Sequence, residues 1–271
     1  CNLLLEADSY FNDENVDMVR INKHSTIKYY CYNDSCTTNE AGINALFAYI
    51  ISEFKKSIKQ LEHNDYDEYL LMWLSDKLFK IHIESIGKKN IKGYMDNFTL
   101  NRAYEKYLKK DKVKSNYWDL LNIIPGLKNA NLKYMSEFYK LLNNICITIA
   151  YYNDKYVKSK KLSKYSKNCL TQYRTLYMNI SECKSYLDLL NKLKGIYDDF
   201  RSSAIKKKRS NNNLATNLQT ITTEDGVEMD AVRSFKTYNF SDSKCKFSKK
   251  KTASSKKMDK SSLQPSNQLK D

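Results

Sequence analysis

Glycine and proline are scarce in this chain, six and two among 271 residues. Sandwiches and barrels need turn residues at short intervals, so this scarcity weighs against an all-β fold. The glycines, Gly42, Gly87, Gly93, Gly126, Gly195 and Gly226, stand isolated. No Gly-rich loop is therefore available to cradle a phosphate. Histidine is limited to His24, His63 and His82, which leaves little for a cysteine nucleophile that needs a histidine base. His82 lies in Ile81-His82-Ile83 without the HExxH pattern of a zinc helix and reads as structural. Cys31 and Cys36 lack the second Cys/His pair that a zinc site would require. Asp198 and Asp199 are adjacent on a helix and point in different directions, as on a solvated face. No enzymatic activity, catalytic set, cofactor or metal is expected. The longest apolar run, 145–152, is far short of the roughly twenty residues that span a bilayer. The chain opens at Cys1 without methionine, as expected of an incomplete or trimmed product from which a signal peptide can have been lost.

Composition changes near position 205. Nearly all the Tyr, Trp, Leu and Ile lie before it, and Ser, Lys, Asn and Thr dominate after it. About 200 residues can bury roughly 70% of their unfolded surface, enough for a core that does not depend on disulfides. The remainder cannot offset its ordering entropy by burial, so two regions are predicted: a packed domain over 1–205 and a disordered Lys/Ser/Asn-rich tail over 206–271. Net charge is +15, split almost evenly between the two. That balance raises nucleic acid or anionic membrane as partners. Only six of the 46 basic residues are arginine, the side chain better suited to bidentate phosphate recognition, and no nucleic-acid partner is expected.

Helical periodicity recurs through the first region. Ile43, Leu46, Phe47, Ile50, Ile51, Phe54 and Ile58 follow the i, i+3, i+4, i+7 rule, with Thr37 or Thr38 as N-cap. The stretch 66–86 carries Leu70, Leu71, Trp73, Leu74, Leu78 and Phe79 on a broad apolar face, and Gly87 is placed to close it. Trp73 reads as core. Shorter helices are predicted over 100–108 and 117–123, a surface turn at Pro125-Gly126, and long helices over 132–157, 165–178 and 182–200. Short connections favour antiparallel neighbours in an all-α bundle.

Seven cysteines divide into Cys1, Cys31 and Cys36 early, Cys146, Cys169 and Cys183 late, and Cys245 alone in the tail. The first six are the candidate disulfide cysteines. Three early and three late require at least one bridge between the two ends if all are paired, and fifteen connectivities remain open. Cys169 and Cys183 flank a helical turn and could reach each other. Cys146, between Ile145 and Ile147, fits a free buried thiol best, and Cys245 is read as unpaired. Bridges of this kind place a domain outside a reducing cytosol.

An ordered series of motifs spans residues 1–200: Cys1 before an acidic, Phe-containing segment, then Tyr30-Cys31 and Cys36, then Ile43-Asn44-Ala45 and Leu71-Met72-Trp73-Leu74-Ser75. Phe138-Tyr139, Cys146, Asn168-Cys169, Cys183, Tyr186, Leu189-Leu190 and Tyr197-Asp198-Asp199-Phe200 follow. In this series the chain resembles the Plasmodium interspersed-repeat (pir) variant antigens, rodent-malaria branch. Tyr32 and Leu46 depart from the residues many relatives carry there. The resemblance implies a disulfide-stapled helical ectodomain, exported to the infected red-cell surface or parasite membrane, with a low-complexity linker and one C-terminal transmembrane helix that this chain does not include. It carries over no catalytic residue.

The function expected is a non-enzymatic variant surface antigen, offering exposed Tyr and Lys and loops within 87–130 to a host surface protein, a glycan or antibodies. The alternative is an intracellular Lys-rich protein whose basic tail binds nucleic acid or acidic membrane.

Overall fold

The computed structural model describes residues 1–57, 66–89, 91, 93–110, 118, 124–153, 159–207, 216–233 and 237–247. Among the described residues the fold is all-α apart from one two-stranded hairpin and an isolated bridge between Thr99 and Asn131. The predicted helix at 117–123 lies outside the described residues except for Trp118, as do Ile58 and His63.

The N-terminal quarter is built from pieces too short to show periodicity. Helix α1 (Asn2–Asp8) leads into strands β1 (Phe11–Asn12) and β2 (Asn15–Val16). A two-residue turn joins the strands, with Asp13 at φ 57°, the left-handed backbone that such hairpin turns demand. Asp17 caps α2 (Met18–Lys23), its carboxylate accepting from the Arg20 amide. The four-residue α3 (Ser25–Lys28) follows.

The long helices then appear close to their expected places. Helix α4 (Asn39–Ser57) starts with Thr38 Oγ1 accepting from the Ala41 amide at 3.1 Å. Helix α5 (Asp67–Ser85) ends as Gly87 implied. With Gly87 at φ 65°, its amide donates to Glu84 and the Lys88 amide to Ile83, the paired closure of a Schellman motif. After α6 (Leu100–Tyr107), Asn131 Oδ1 accepts from the amides of Lys133 and Tyr134 and opens α7 (Leu132–Asn153). Helices α8 (Ser159–Ile180) and α9 (Lys184–Lys207) each run longer than predicted. Helix α7 is the hub, packing mainly against α5 and α8 and also against α1, α6 and α9.

Trp73 on α5 is fully buried and stacks on Phe47 of α4, rings 2° from parallel. Its indole N–H donates to Asp8 Oδ1 at 3.0 Å, the partner a buried Trp requires. Asp8 also accepts from Tyr139 OH at 2.6 Å and pairs with the nearly buried Lys77 at 2.7 Å. One carboxylate at the end of α1 thus fastens the N-terminal quarter to both α5 and α7.

Order continues past position 205, contrary to the composition-based boundary. Residues 216–233 and 237–247 form a non-periodic strap across the bundle, with Leu218, Ile221, Tyr238 and Phe240 buried. Extended backbone supplies the fit: Val232 N donates to Asn191 O, Tyr197 OH to Gln219 O, and Arg174 to Thr222. The predicted surface turn at Pro125-Gly126 is a 3-10 turn (Pro125–Asn129) beneath this strap. The Tyr238 carbonyl lies where a side chain on residue 126 would begin, so only glycine fits there. Residues 248–271 of the predicted tail lie outside the described residues.

Candidate functional site

Three disulfides join Cys1 to Cys146, Cys31 to Cys36 and Cys183 to Cys245. The first ties an early cysteine to a late one, although the counting argument assumed that all six pair and Cys169 does not. Cys146, read as a free thiol, is that bridge's late member, because α1 lies against α7 and brings Cys1 to it. Cys169 and Cys245 reverse their expected states. Cys169 faces Thr148 in the α7 and α8 packing, unpaired, with burial pushing its thiol up to about 12, so it is no nucleophile at physiological pH. Cys245 is drawn to Cys183 by the strap, which composition alone did not reveal.

The histidines are structural where described. His24 caps α3. His82 is buried, accepts or donates at Tyr107 OH (3.0 Å) and Asp96 Oδ2 (2.8 Å), and stacks on Phe98 with ring centroids 4.1 Å apart. Among the described residues no group of three or more His, Cys, Asp or Glu is arranged to hold a metal.

The His82 and Asp96 contact has a further effect: it pins one end of the segment after α5. Asn131 Nδ2 donates to Asp96 O at 2.6 Å, and Asp96 Oδ1 accepts from the Phe98 amide. Gly93 turns the segment at φ 70°. Beside it, Lys88, Lys89, Ile91, Gly93, Tyr94 and Met95 line, with α5 and α7, a groove of two chambers. One, of about 250 Å³, is lined by Lys80, Lys88, Lys89, Lys133 and Lys140. The other, of about 430 Å³, is lined by Met95, Tyr134, Leu176 and Phe247 with Gln172 and Thr175. The chambers are neighbours and share Gly93, Lys133 and Lys140 in their walls.

Charge in the first chamber is unbalanced. Lys80 pairs with Asp76 at 3.0 Å, Lys89 with Glu14 at 2.6 Å, and Lys133 and Lys140 both with Glu137. Five lysines thus pair with or flank three carboxylates, Asp76 being shared with Lys77 as well and Lys89 also feeling Glu84 and Asp13, and Lys88 has no ion pair among the described residues. Burial works to raise Asp76 and Glu137, but Lys77 and Lys80 around the first and Lys133 and Lys140 around the second outweigh it. Both carboxyls are held below their ordinary values. The net positive field is therefore present across the physiological pH range. No residue pattern in the sequence announced this groove, because its lysines come from α5, α7 and the segment between α5 and α6; only the expectation of a presenting surface within 87–130 touched it.

The described residues thus form a helical domain with three disulfides, a docked strap and a lysine-lined groove. The chain belongs to the Plasmodium variant antigen family Cir/Yir/Bir, whose family model matches residues 1–267 and so takes in the strap as well as the bundle. Neither a curated protein nor a solved structure matches it.

Proposed function

We propose that this protein is a non-enzymatic variant antigen, of the rodent-malaria branch, that presents its disulfide-bridged helical domain outside the parasite cytosol for contact with host molecules or antibodies. The family match carries this reading. The three disulfides support it, since such bridges persist where thiols are not kept reduced. Recognition falls to solvated side chains of the N-terminal quarter, where Val19, Tyr29 and Tyr32 are more than half exposed. The Cys31 and Cys36 bridge, with Asn33 and Asp34 at positive φ, fixes the loop that carries Tyr32. A pre-shaped loop loses less entropy on binding than a floppy one.

The family resemblance also supports anchoring by a single membrane-spanning helix C-terminal to the strap. Among the described residues no helix is long and apolar enough to cross a membrane. Antibodies raised against residues 1–247 should stain intact infected red cells or the parasite membrane. The same protein, extracted under alkylating conditions, should migrate differently with and without reductant. A protein confined to the cytosol with all its thiols alkylated before reduction would overturn the reading.

A further inference from the structure

We infer that the groove between α5, α7, α8 and the residues Lys88, Ile91, Gly93 and Met95 is a binding site for a single-chain anionic amphiphile, its head group on the lysines and its hydrocarbon in the larger chamber. Three observations converge. First, the smaller chamber is lined by five lysines and two carboxylates, Glu14 and Asp76, with Glu137 lining the larger one, so an added anion meets a surplus of positive charge. Lys88 is exposed and without an ion pair among the described residues, and Lys140 shares Glu137 with Lys133.

Second, the larger chamber has Lys133 and Lys140, beside Glu137, in its wall and is lined otherwise by Met95, Tyr134, Leu176 and Phe247. Its volume, about 430 Å³, compares with the roughly 150 Å³ cavity that takes one benzene, so it accepts a chain on the order of a dozen carbons. Third, the side-chain donors that α8 places along that chamber, those of Gln172, Thr175 and Asn179, are already engaged. Gln172 Nε2 donates to Glu137 Oε2 at 2.9 Å, Thr175 Oγ1 to Thr171 O at 3.0 Å, and Asn179 Nδ2 to Thr175 O at 2.6 Å. A sugar would find few unspent donors there, whereas a hydrocarbon needs none. The concave shape selects one chain withdrawn from water over the face of a bilayer. This site stands apart from the exposed tyrosines of the N-terminal quarter.

The test uses the folded, oxidised protein and dodecyl phosphate below its micellar concentration, read by calorimetry. One molecule should bind per chain. Octyl phosphate should bind at least tenfold more weakly, since each methylene is worth up to about fourfold, and inorganic phosphate more weakly still. Dodecyltrimethylammonium should not bind. Thr175→Trp, at an exposed position that overhangs the larger chamber, should abolish binding. Lys88→Gln with Lys140→Gln should weaken it about tenfold, with helicity and melting temperature as checks on folding. The inference is overturned if dodecyl phosphate does not bind, if the cationic amphiphile binds equally, or if Thr175→Trp folds normally and binds like the parent. Sedimentation with phosphatidylserine vesicles without binding of the monomeric amphiphile would also overturn it, in favour of a membrane face.

Discussion

Replacing both Cys183 and Cys245 by serine tests the strap most directly. A bridge stabilises chiefly by shortening the unfolded chain, and the effect grows with the loop it closes. Sequence separations of 5, 62 and 145 rank the three bridges at about 2, 4 and 5 kcal/mol. The Cys31 and Cys36 loop is nested inside the longest one and trims it only slightly, whereas the Cys183 and Cys245 loop is independent of both. Without that bridge the strap keeps its buried residues Leu218, Ile221, Tyr238 and Phe240 and hydrogen bonds such as that between Ser185 and Asn239. If the strap and bundle unfold as one unit, urea denaturation followed by circular dichroism should show a loss of about 4 kcal/mol. If the strap opens first, amides over 218–245 should lose exchange protection while those of α5 and α7 keep theirs. A double variant matching the parent within about 0.5 kcal/mol, with unchanged protection over 218–245, would refute the reasoning.

Gly126→Ala should push the strap away at Tyr238 and lower stability by about 1–3 kcal/mol, read as a drop in melting temperature with the helical content intact. Lys192 donates to both oxygens of the buried Glu68, which also accepts from Tyr238 OH. Lys192→Met should therefore cost about 3–5 kcal/mol, and Lys192→Met with Glu68→Leu distinctly less, by chemical denaturation. Asp67 is raised to about 7 by burial and then by the Glu68 charge, against Lys55. Its folded value exceeds its unfolded one, so the contribution is full below about pH 4 and is lost as pH rises through 7. Asp67→Asn should remove that loss, leaving the variant about 1–2 kcal/mol more stable than the parent at pH 8 after discounting for screening, and level with it near pH 4. A parent advantage at pH 8 would contradict this account.

The helices that could be read from the sequence were those long enough to repeat their apolar spacing. Ile43, Leu46, Phe47 and Ile50 define α4, and Leu70, Leu71, Leu74 and Leu78 define α5, each over several turns. Helix α3 has four residues, and each hairpin strand has two, about one period each and too short to show a repeat. The strap escaped for a different reason. Leu218, Ile221, Tyr238 and Phe240 are single apolar residues among polar ones, so composition reads solvated chain where backbone hydrogen bonds and one bridge secure packing. Cysteine pairing followed the same logic: counting assumed that all six candidates pair, whereas Cys169 stays free, and Cys146 and Cys245 found partners through contacts set by α7 and the strap. The groove was hidden because its charge and its hydrocarbon wall come from different elements and meet only after folding.

The bond between Cys183 and Cys245 also determines how the domain answers a mechanical pull. Force applied downstream of residue 245 passes through the sulfur bridge to the turn between α8 and α9, bypassing the strap's hydrogen bonds. Those bonds would otherwise be loaded one after another, like a peeling tape. Tension is instead delivered to two helices anchored in the middle of the structure, and the strap remains seated while its far end is strained.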